Sequence, residues 1–387
     1  VTGNTAVVVG GGIGGFAAAI GLRLAGLSVT LLERERMLGE AGSGLSLAPN
    51  ALRALGALGL GEQIRAVTAP SEATANLRTP DGRFLMRFRP GRDVPIAAVH
   101  RSDLHDVLQS AVPAEVVHLD ADVVGVGETD AGSVVVRYRG AAGDRTLTAD
   151  LVVGADGVHS VLRRQLWPDA PEPPFRHCTV WRGVTEPGST GPIEGSLTAG
   201  RGCYFLIHPL RGGRLYWALG ARSEKPSEPS PDERAVVRQR TAGWHDPIPE
   251  VLAATRPDHV LRRDIHDLDP LPTYVRGRVV LLGDAAHAMP PDLGQGAAQA
   301  LEDAVELAAS LGGTGDVDAA LAAYDAGRLP RVHTIQHQAR RKCDITMSTS
   351  GMPYPLTMLL LRLIPQSVQR AAARRVWAWE PPQIRHQ

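Results

Sequence analysis

Three groups of glycine and acid could do chemistry, and each directly follows an apolar run. The first is Gly10-x-Gly12-x-x-Gly15, after the β-branched run Ala6 to Val9. Gly10 permits the tight turn out of a strand, Gly12 lets the backbone approach a pyrophosphate, and Gly15 lets a helix pack close to a sheet. The diphosphate would sit at that helix N-terminus, where free N–H groups and the dipole favour anions. Glu33, with Arg34 beside it, closes the next apolar run, Ser28 to Leu32. A carboxylate there accepts hydrogen bonds from a ribose diol. Strand, turn, helix, second strand and acid all occur in order, which favours a nucleotide site over a bare glycine turn.

The second group is Asp156-Gly157, inside the run Gly154 to Ser160. Taken alone, an Asp-Gly pair reads equally well as a strand-ending turn. The third is Gly283-Asp284-Ala285-Ala286-His287, which continues through Pro290-Pro291-Asp292-Leu293-Gly294-Gln295-Gly296-Ala297 to Glu302-Asp303. Asp284 at a strand end can hold a ribose or ribityl hydroxyl. Gly294 and Gly296 let backbone N–H groups approach a flat, electron-rich ring at a helix N-terminus. His287 is read as packed under the loop.

The elements that must position these groups follow from periodicity. A βαβ unit opens the chain, with a helix from Gly14 to about Ala25 and a strand from Ser28 to Leu32. Pro49 to Leu60 is helical, and residues 82–88 read as a strand. Ser102 is expected to cap a helix from Asp103 to about Val112. Strand-like runs follow at 121–126, 133–139 and 145–153, and residues 179–220 alternate as antiparallel sheet. Arg278 to Leu282 is a buried strand, and a helix runs from about Gln295 to Leu311. From Asp318 onward the chain reads as helix broken by Pro330, Pro353, Pro355 and Pro365. The fold class is therefore α/β: a discontinuous Rossmann-type nucleotide-binding domain, an inserted antiparallel β-sheet domain and C-terminal helices.

Composition excludes several functions. The 387 residues carry 41 basic and 41 acidic side chains, and only Lys225 and Lys342 are lysines. Zero net charge argues against a nucleic-acid partner, because phosphate binding needs a basic surface. No apolar run is long enough to span a bilayer; the best candidate, Leu356 to Ile364, is short and contains Arg362. No basic region precedes the glycine-rich apolar start, so a signal peptide is not expected. Cys178, Cys203 and Cys343 give no disulfide or zinc framework, and a cytoplasmic location is expected. His333 and His337 stand four apart without a third ligand and read as a solvated helix face; no metal is expected.

Together the three motifs resemble the class A flavoprotein monooxygenases, which share the p-hydroxybenzoate hydroxylase fold. The resemblance covers nearly the whole chain. It implies FAD, held by Gly10, Gly12, Gly15, Glu33, Arg34, Arg101, Asp156, Gly157, Gly283, Asp284, Pro291, Gly294, Gln295, Gly296 and Ala297. It also implies NADH or NADPH as a transient co-substrate, O2, and hydroxylation of an aromatic or heteroaromatic molecule through a flavin C4a-hydroperoxide. His159 stands where that family often has an arginine after the Asp-Gly pair. The implied domains are FAD-binding at 1–70, 97–178 and 270–315, substrate sheet at 71–96 and 179–269, and C-terminal helices at 316–387. A monomer or homodimer is expected.

His208 and Tyr216 flank a hairpin and can exchange protons; each reads equally well as core. With Asp292 they are the candidate catalytic residues. Tyr216 and Asp292 look most like the salicylate/urate-hydroxylase subgroup, which would place an arginine at Tyr204; its absence disfavours urate and leaves a salicylate-like or larger ring open. Six of the 17 aromatic residues (Phe175, Trp181, Tyr204, Phe205, Tyr216, Trp217) crowd this segment, as a pocket for a flat ring or a sheet core would require. Cys203 falls in the same wall. A flavin epoxidase or oxidase acting on a natural-product or isoprenoid substrate is the alternative. A non-catalytic prenyl-protein escort would not need the Gly283–Gly296 loop, and no Trp-x-Trp-x-Ile-Pro segment marks a halogenase.

Overall fold

Parallel strands buried on both faces should be continuously apolar, and the central strands of the nucleotide domain nearly are. In the computed structural model Thr5–Val9 pairs in parallel with Ser28–Leu32 on one side and Leu151–Gly154 on the other. The sheet extends to Val279–Leu281 and, at its far edge, Val117–His118. The structure describes residues 5–38, 43–72, 76–87, 96–129, 132–226, 228–313, 316–349, 363 and 365–385. The helix Ile13–Leu24 leaves the first strand through Gly10 and packs against the helix Gly296–Gly313. A β-meander, Asp122–Glu128, Val134–Gly140 and Gly143–Ala149, leads back into the parallel sheet.

The second body is a seven-stranded sheet. Its centre is antiparallel: Phe175–Val184 pairs with Leu215–Arg222, which pairs with Cys203–Pro209, and Leu261–His266 closes one edge. The strands Leu77–Arg78 and Phe84–Met86 close the other edge, so the sheet draws on two separated stretches of chain. Alternation gives it two faces. Trp181, Phe205 and Trp217 point to a core under the helices Glu233–Arg240 and Ile248–Ala253. Cys178, Val180, Tyr204, Leu206, Tyr216 and Ala218 line the opposite face. A small sheet of Gly44–Leu47, Ala69–Ser71 and Ile96–His100 abuts that face, and its Gly44 lies so close to the Tyr216 ring that a Cβ would come within 2.4 Å of Cγ.

Some expectations change. The helix expected from Asp103 begins at Arg101 and ends at Ser110; His100 is its N-cap, and Ser102 bonds the His100 ring (2.6 Å) instead of capping. Pro330 does not break the tail, because the helix Val317–Thr346 runs through it. His333 is not on a solvated face: its ring meets the Leu271 carbonyl at 3.0 Å. Pro353, Pro355 and most of the run Leu356 to Ile364 lie outside the described residues. No helix among the described residues is long and apolar enough to cross a membrane.

Candidate active site

The fingerprint turn opens on a cavity of about 500 Å3. Gly10, Gly12, Glu33, Arg34, Arg101, Asp156 and Gly157 all line it. Gly10 adopts φ +106°, and a Cβ there would strike the Ala155 carbonyl oxygen at 2.4 Å, so the turn admits only glycine. Gly15 does not line the cavity; it lies against the Gly10 carbonyl, with 1.8 Å left for a Cβ. At Gly12 a Cβ would meet nothing within 4 Å, which leaves an open cradle at the start of the helix. Glu33 Oε2 accepts from the Gly11 N–H at 2.5 Å, tying the second strand to the turn.

The Asp-Gly turn is built into the cavity wall rather than ending a strand idly. Asp156 Oδ2 accepts from the N–H groups of Val161 (2.7 Å) and Leu162 (3.3 Å), while Oδ1 is buried without a partner. Burial pushes its pKa up against the pull of the Ser160 side chain and those N–H donors. An unpartnered buried acceptor beside an open glycine cradle fits the polyhydroxylated nucleotide half of FAD. Sequence reasoning missed His105, one helical turn beyond Arg101. It lines the same cavity, meets the Gly11 carbonyl at 2.8 Å and packs edge-on against Phe16. The (i, i+4) spacing from Arg101 was the available signal.

Behind the second loop lies a closed ionic cluster. Asp303 accepts from the Gly283 N–H (2.9 Å), His287 (2.6 Å) and Arg328 (2.7 Å), all buried. Burial opposes its ionisation, but His287 and Arg328 outweigh this and hold its pKa down at about 2. Glu302 accepts from Arg328, Arg331 and Asn50. Gln295 belongs here as well: its side chain is buried, its Oε1 accepts from Asn50 and Gln299, and its Nε2 has no partner. In front, Asp284 is exposed, Gly283 and Gly294 take positive φ, and Pro291, Gly296 and Ala297 are half-buried around the helix start. Sequence offered no sign of Arg328, which arrives from a distant helix.

The three catalytic candidates do not share one environment. Tyr216 is buried on the inner sheet face, where burial raises its pKa and the nearby Arg182 charge draws it back down. Asp292 sits on the turn Pro291–Leu293; burial raises its pKa, its carboxyl lies against the Cys343 thiol, and its Oδ2 is buried without a partner. Asp292 and Arg182 both act electrostatically on Tyr204, whose pKa burial raises strongly. His208 differs from expectation. It is fully buried, its two ring nitrogens are bonded to Ser46 and Ser71 at 2.7 Å each, and burial depresses its pKa to about 3. Its ring stacks parallel to Tyr216 at 6.0 Å, so it positions that tyrosine and is no exposed proton exchanger. Cys203 faces the helix-covered core, not the pocket wall. The aromatic cluster likewise divides, with Tyr204 and Tyr216 inside and Trp181, Phe205 and Trp217 on the far face.

Comparison with known proteins agrees with this geometry. Residues 4–339 match the family described as FAD binding domain. The chain is 37% identical over 340 residues to aurachin C monooxygenase/isomerase of Stigmatella aurantiaca, covering 86% of this chain and 87% of that one. It is 32% identical over 362 residues to FAD-dependent urate hydroxylase of Klebsiella pneumoniae, covering 88% and 90%. The structure of Klebsiella pneumoniae HpxO complexed with FAD and uric acid superposes with a TM-score of 0.87 at 28% identity, covering 98% and 97%. FAD is the cofactor that the open cradle and the orphaned Asp156 oxygen suit. This chain therefore belongs to the FAD-binding-domain family and is a class A flavoprotein monooxygenase.

Proposed function

We propose that the enzyme hydroxylates an aromatic or heteroaromatic small molecule, taking electrons from NADH or NADPH and one oxygen atom from O2. The observation that carries this reading is the meeting of Tyr204, Tyr216 and the orphaned Asp292 oxygen on the sheet face turned toward the flavin loop. Two tyrosines and a carboxyl suit a flat ring that bears an exchangeable proton. Bound FAD supplies the redox chemistry and the activation of oxygen.

The chain's own residues bind, orient and move protons. Gly10 and Gly12 and the helix start would hold the diphosphate; Glu33, Arg34 and Arg101 the nucleotide; Asp156 a hydroxyl group through Oδ1. Asp284 and the backbone of Pro291, Gly294, Gly296 and Ala297 would meet the ribityl chain and ring. The seven-stranded sheet, mainly residues 71–96 and 179–269, serves as the substrate domain. Tyr216 would hold a ring oxygen. Asp292, whose pKa burial raises, has Oδ2 free to exchange a proton with a ring substituent. A cytoplasmic location is supported by the supply of nicotinamide reductant and by three unpaired cysteines; a monomer or homodimer is the assembly we expect.

The test is NAD(P)H and O2 consumption by the purified enzyme across phenols, salicylates, quinolones and purines. At least one ring should accelerate both, with label from isotopic O2 found as a hydroxyl in product. A protein that takes up no FAD, or that no ring stimulates, overturns the reading. A relative named as both monooxygenase and isomerase favours a second reading, epoxidation on the same fold; labelled oxygen recovered in an epoxide would select it.

A further inference from the structure

Residues 378–385 follow the helix Gln366–Trp377 and form no helix or strand of their own. Such a segment stays in place through what other elements offer its backbone, and here three helices make the offer. Arg53, on the helix Pro49–Ala57, donates to the carbonyls of Trp377 and Trp379, the latter at 2.8 Å. Arg331, on the helix Val317–Thr346, donates to the Val376 carbonyl at 3.0 Å. Val376 and Trp377 end their helix, where carbonyls lack partners, so both arginines cap that end. Glu306, on the helix Gly296–Gly313, accepts from the N–H of the buried Trp379 indole at 2.8 Å. Further on, Ile384 packs against the main core. The Arg385 carbonyl oxygen lies 2.1 Å from where a Cβ on Gly312 would stand, so the segment fits there only over glycine.

The gripping side chains occupy related positions. Under the flavin loop Glu302 accepts from Asn50, Arg328 and Arg331. Arg53 comes three residues after Asn50, Glu306 four after Glu302, and Arg331 three after Arg328. Such spacings are neighbours on one helix face. The segment therefore clasps each helix one turn from that helix's own member of the buried network. Two of the three helices start where Asn50 meets Gln295, and one of these starts at Gly296, assigned above to the flavin. Asn50 Oδ1 and Gln295 Nε2 are buried without partners, so the network alone does not fix these two amides.

We propose that residues 376–385 are a strap whose docking is coupled to FAD binding. With the strap seated, the two helix starts keep the positions that FAD requires; bound FAD in turn holds the strap shut. Arg53 is a positioning residue in this scheme, since it does not line the FAD cavity. The proposal goes beyond the hydroxylase reading and is independent of which ring is the substrate.

The test measures FAD uptake by the apoprotein, followed by flavin fluorescence. Arg53→Gln should weaken FAD by about five- to 150-fold, the usual span of coupling between sites, and Arg53→Lys should recover part of the loss. Ile248→Ala, in the core on the far face of the sheet, should lower the denaturant midpoint and leave FAD affinity unchanged, which separates coupling from mere destabilisation. Trypsin supplies the reciprocal measurement, because Arg374 and Arg375 are exposed on the last turn before the strap and cutting there requires local opening. FAD should slow cleavage after Arg375, and protein nicked there should bind FAD more weakly by the same factor. Protection that comes from global stability instead would leave the nicked protein's affinity unchanged, and that result overturns the proposal. So does Arg53→Gln protein that binds FAD as tightly as wild type. Should Arg53→Gln fail to fold, Trp379→Phe, which removes the bond to Glu306, carries the same comparison.

Discussion

Asp292 and Asp303 lie on the two sides of one loop, and both are largely withdrawn from water. Asp303, behind the loop, accepts from a backbone N–H, a histidine and an arginine, and its pKa is held at about 2. Asp292, in front, keeps a buried oxygen without a partner, and burial raises its pKa. The same side chain is thus a fastener in one region and an unspent acceptor in the other. Of these two aspartates, the one whose capacity is used up holds the fold, and the one with capacity left over is the candidate for a ligand.

Substitution should separate the two regions by sign as well as by size. Asp303→Asn strips the counter-charge from a buried Arg328 and should cost about 3–5 kcal/mol of stability, read from the denaturant midpoint, with loss of bound FAD. The next largest effect concerns His208. A histidine whose pKa is depressed on folding contributes stability above its unfolded value of 6.5, and that stability is lost as pH falls toward about 3. The loss runs at up to about 1.4 kcal/mol per pH unit, so His208→Gln should flatten the stability curve between those limits. Tyr216→Phe should retain FAD and fold normally, yet lower kcat/KM about tenfold, the worth of roughly one hydrogen bond to a charged group. Asp292→Asn should show the opposite sign to Asp303→Asn. A carboxyl with a raised pKa weakens the fold at neutral pH, so the amide should stabilise the protein by about 1 kcal/mol at pH 8. The gain should vanish below the ordinary carboxylate range, and turnover should fall. A destabilised Asp292→Asn protein would break the comparison.

How far the site could be read in advance depended on the range of the forces that built it. The fingerprint was legible because Gly10 and Gly15 are demanded by backbone contacts within a few residues of turn and helix. The strand alternation of residues 179–220 was also legible, since period two is local. Which face turns toward the flavin was not. Trp181 and Arg182 are neighbours in sequence, but only the helices Glu233–Arg240 and Ile248–Ala253 decide that the tryptophan is on the covered face. Which of its two readings His208 takes was hidden for the same reason: Ser46 and Ser71, which occupy its nitrogens, are 162 and 137 residues away. Arg328 carries no local signature, because it is defined by what other helices bring.

The 30-residue helix Val317–Thr346 reaches both regions. Near its middle Arg328 grips Asp303 and Glu302; near its end Lys342 donates to the Asp292 carbonyl at 2.6 Å. The two grips are about 20 Å apart along the axis. The loop is therefore fastened at two points by one rigid rod, and its outline does not depend on which side chains furnish the opposite wall. Such a layout separates support from contact: a change at Tyr204 on the facing sheet alters the wall without loosening either grip.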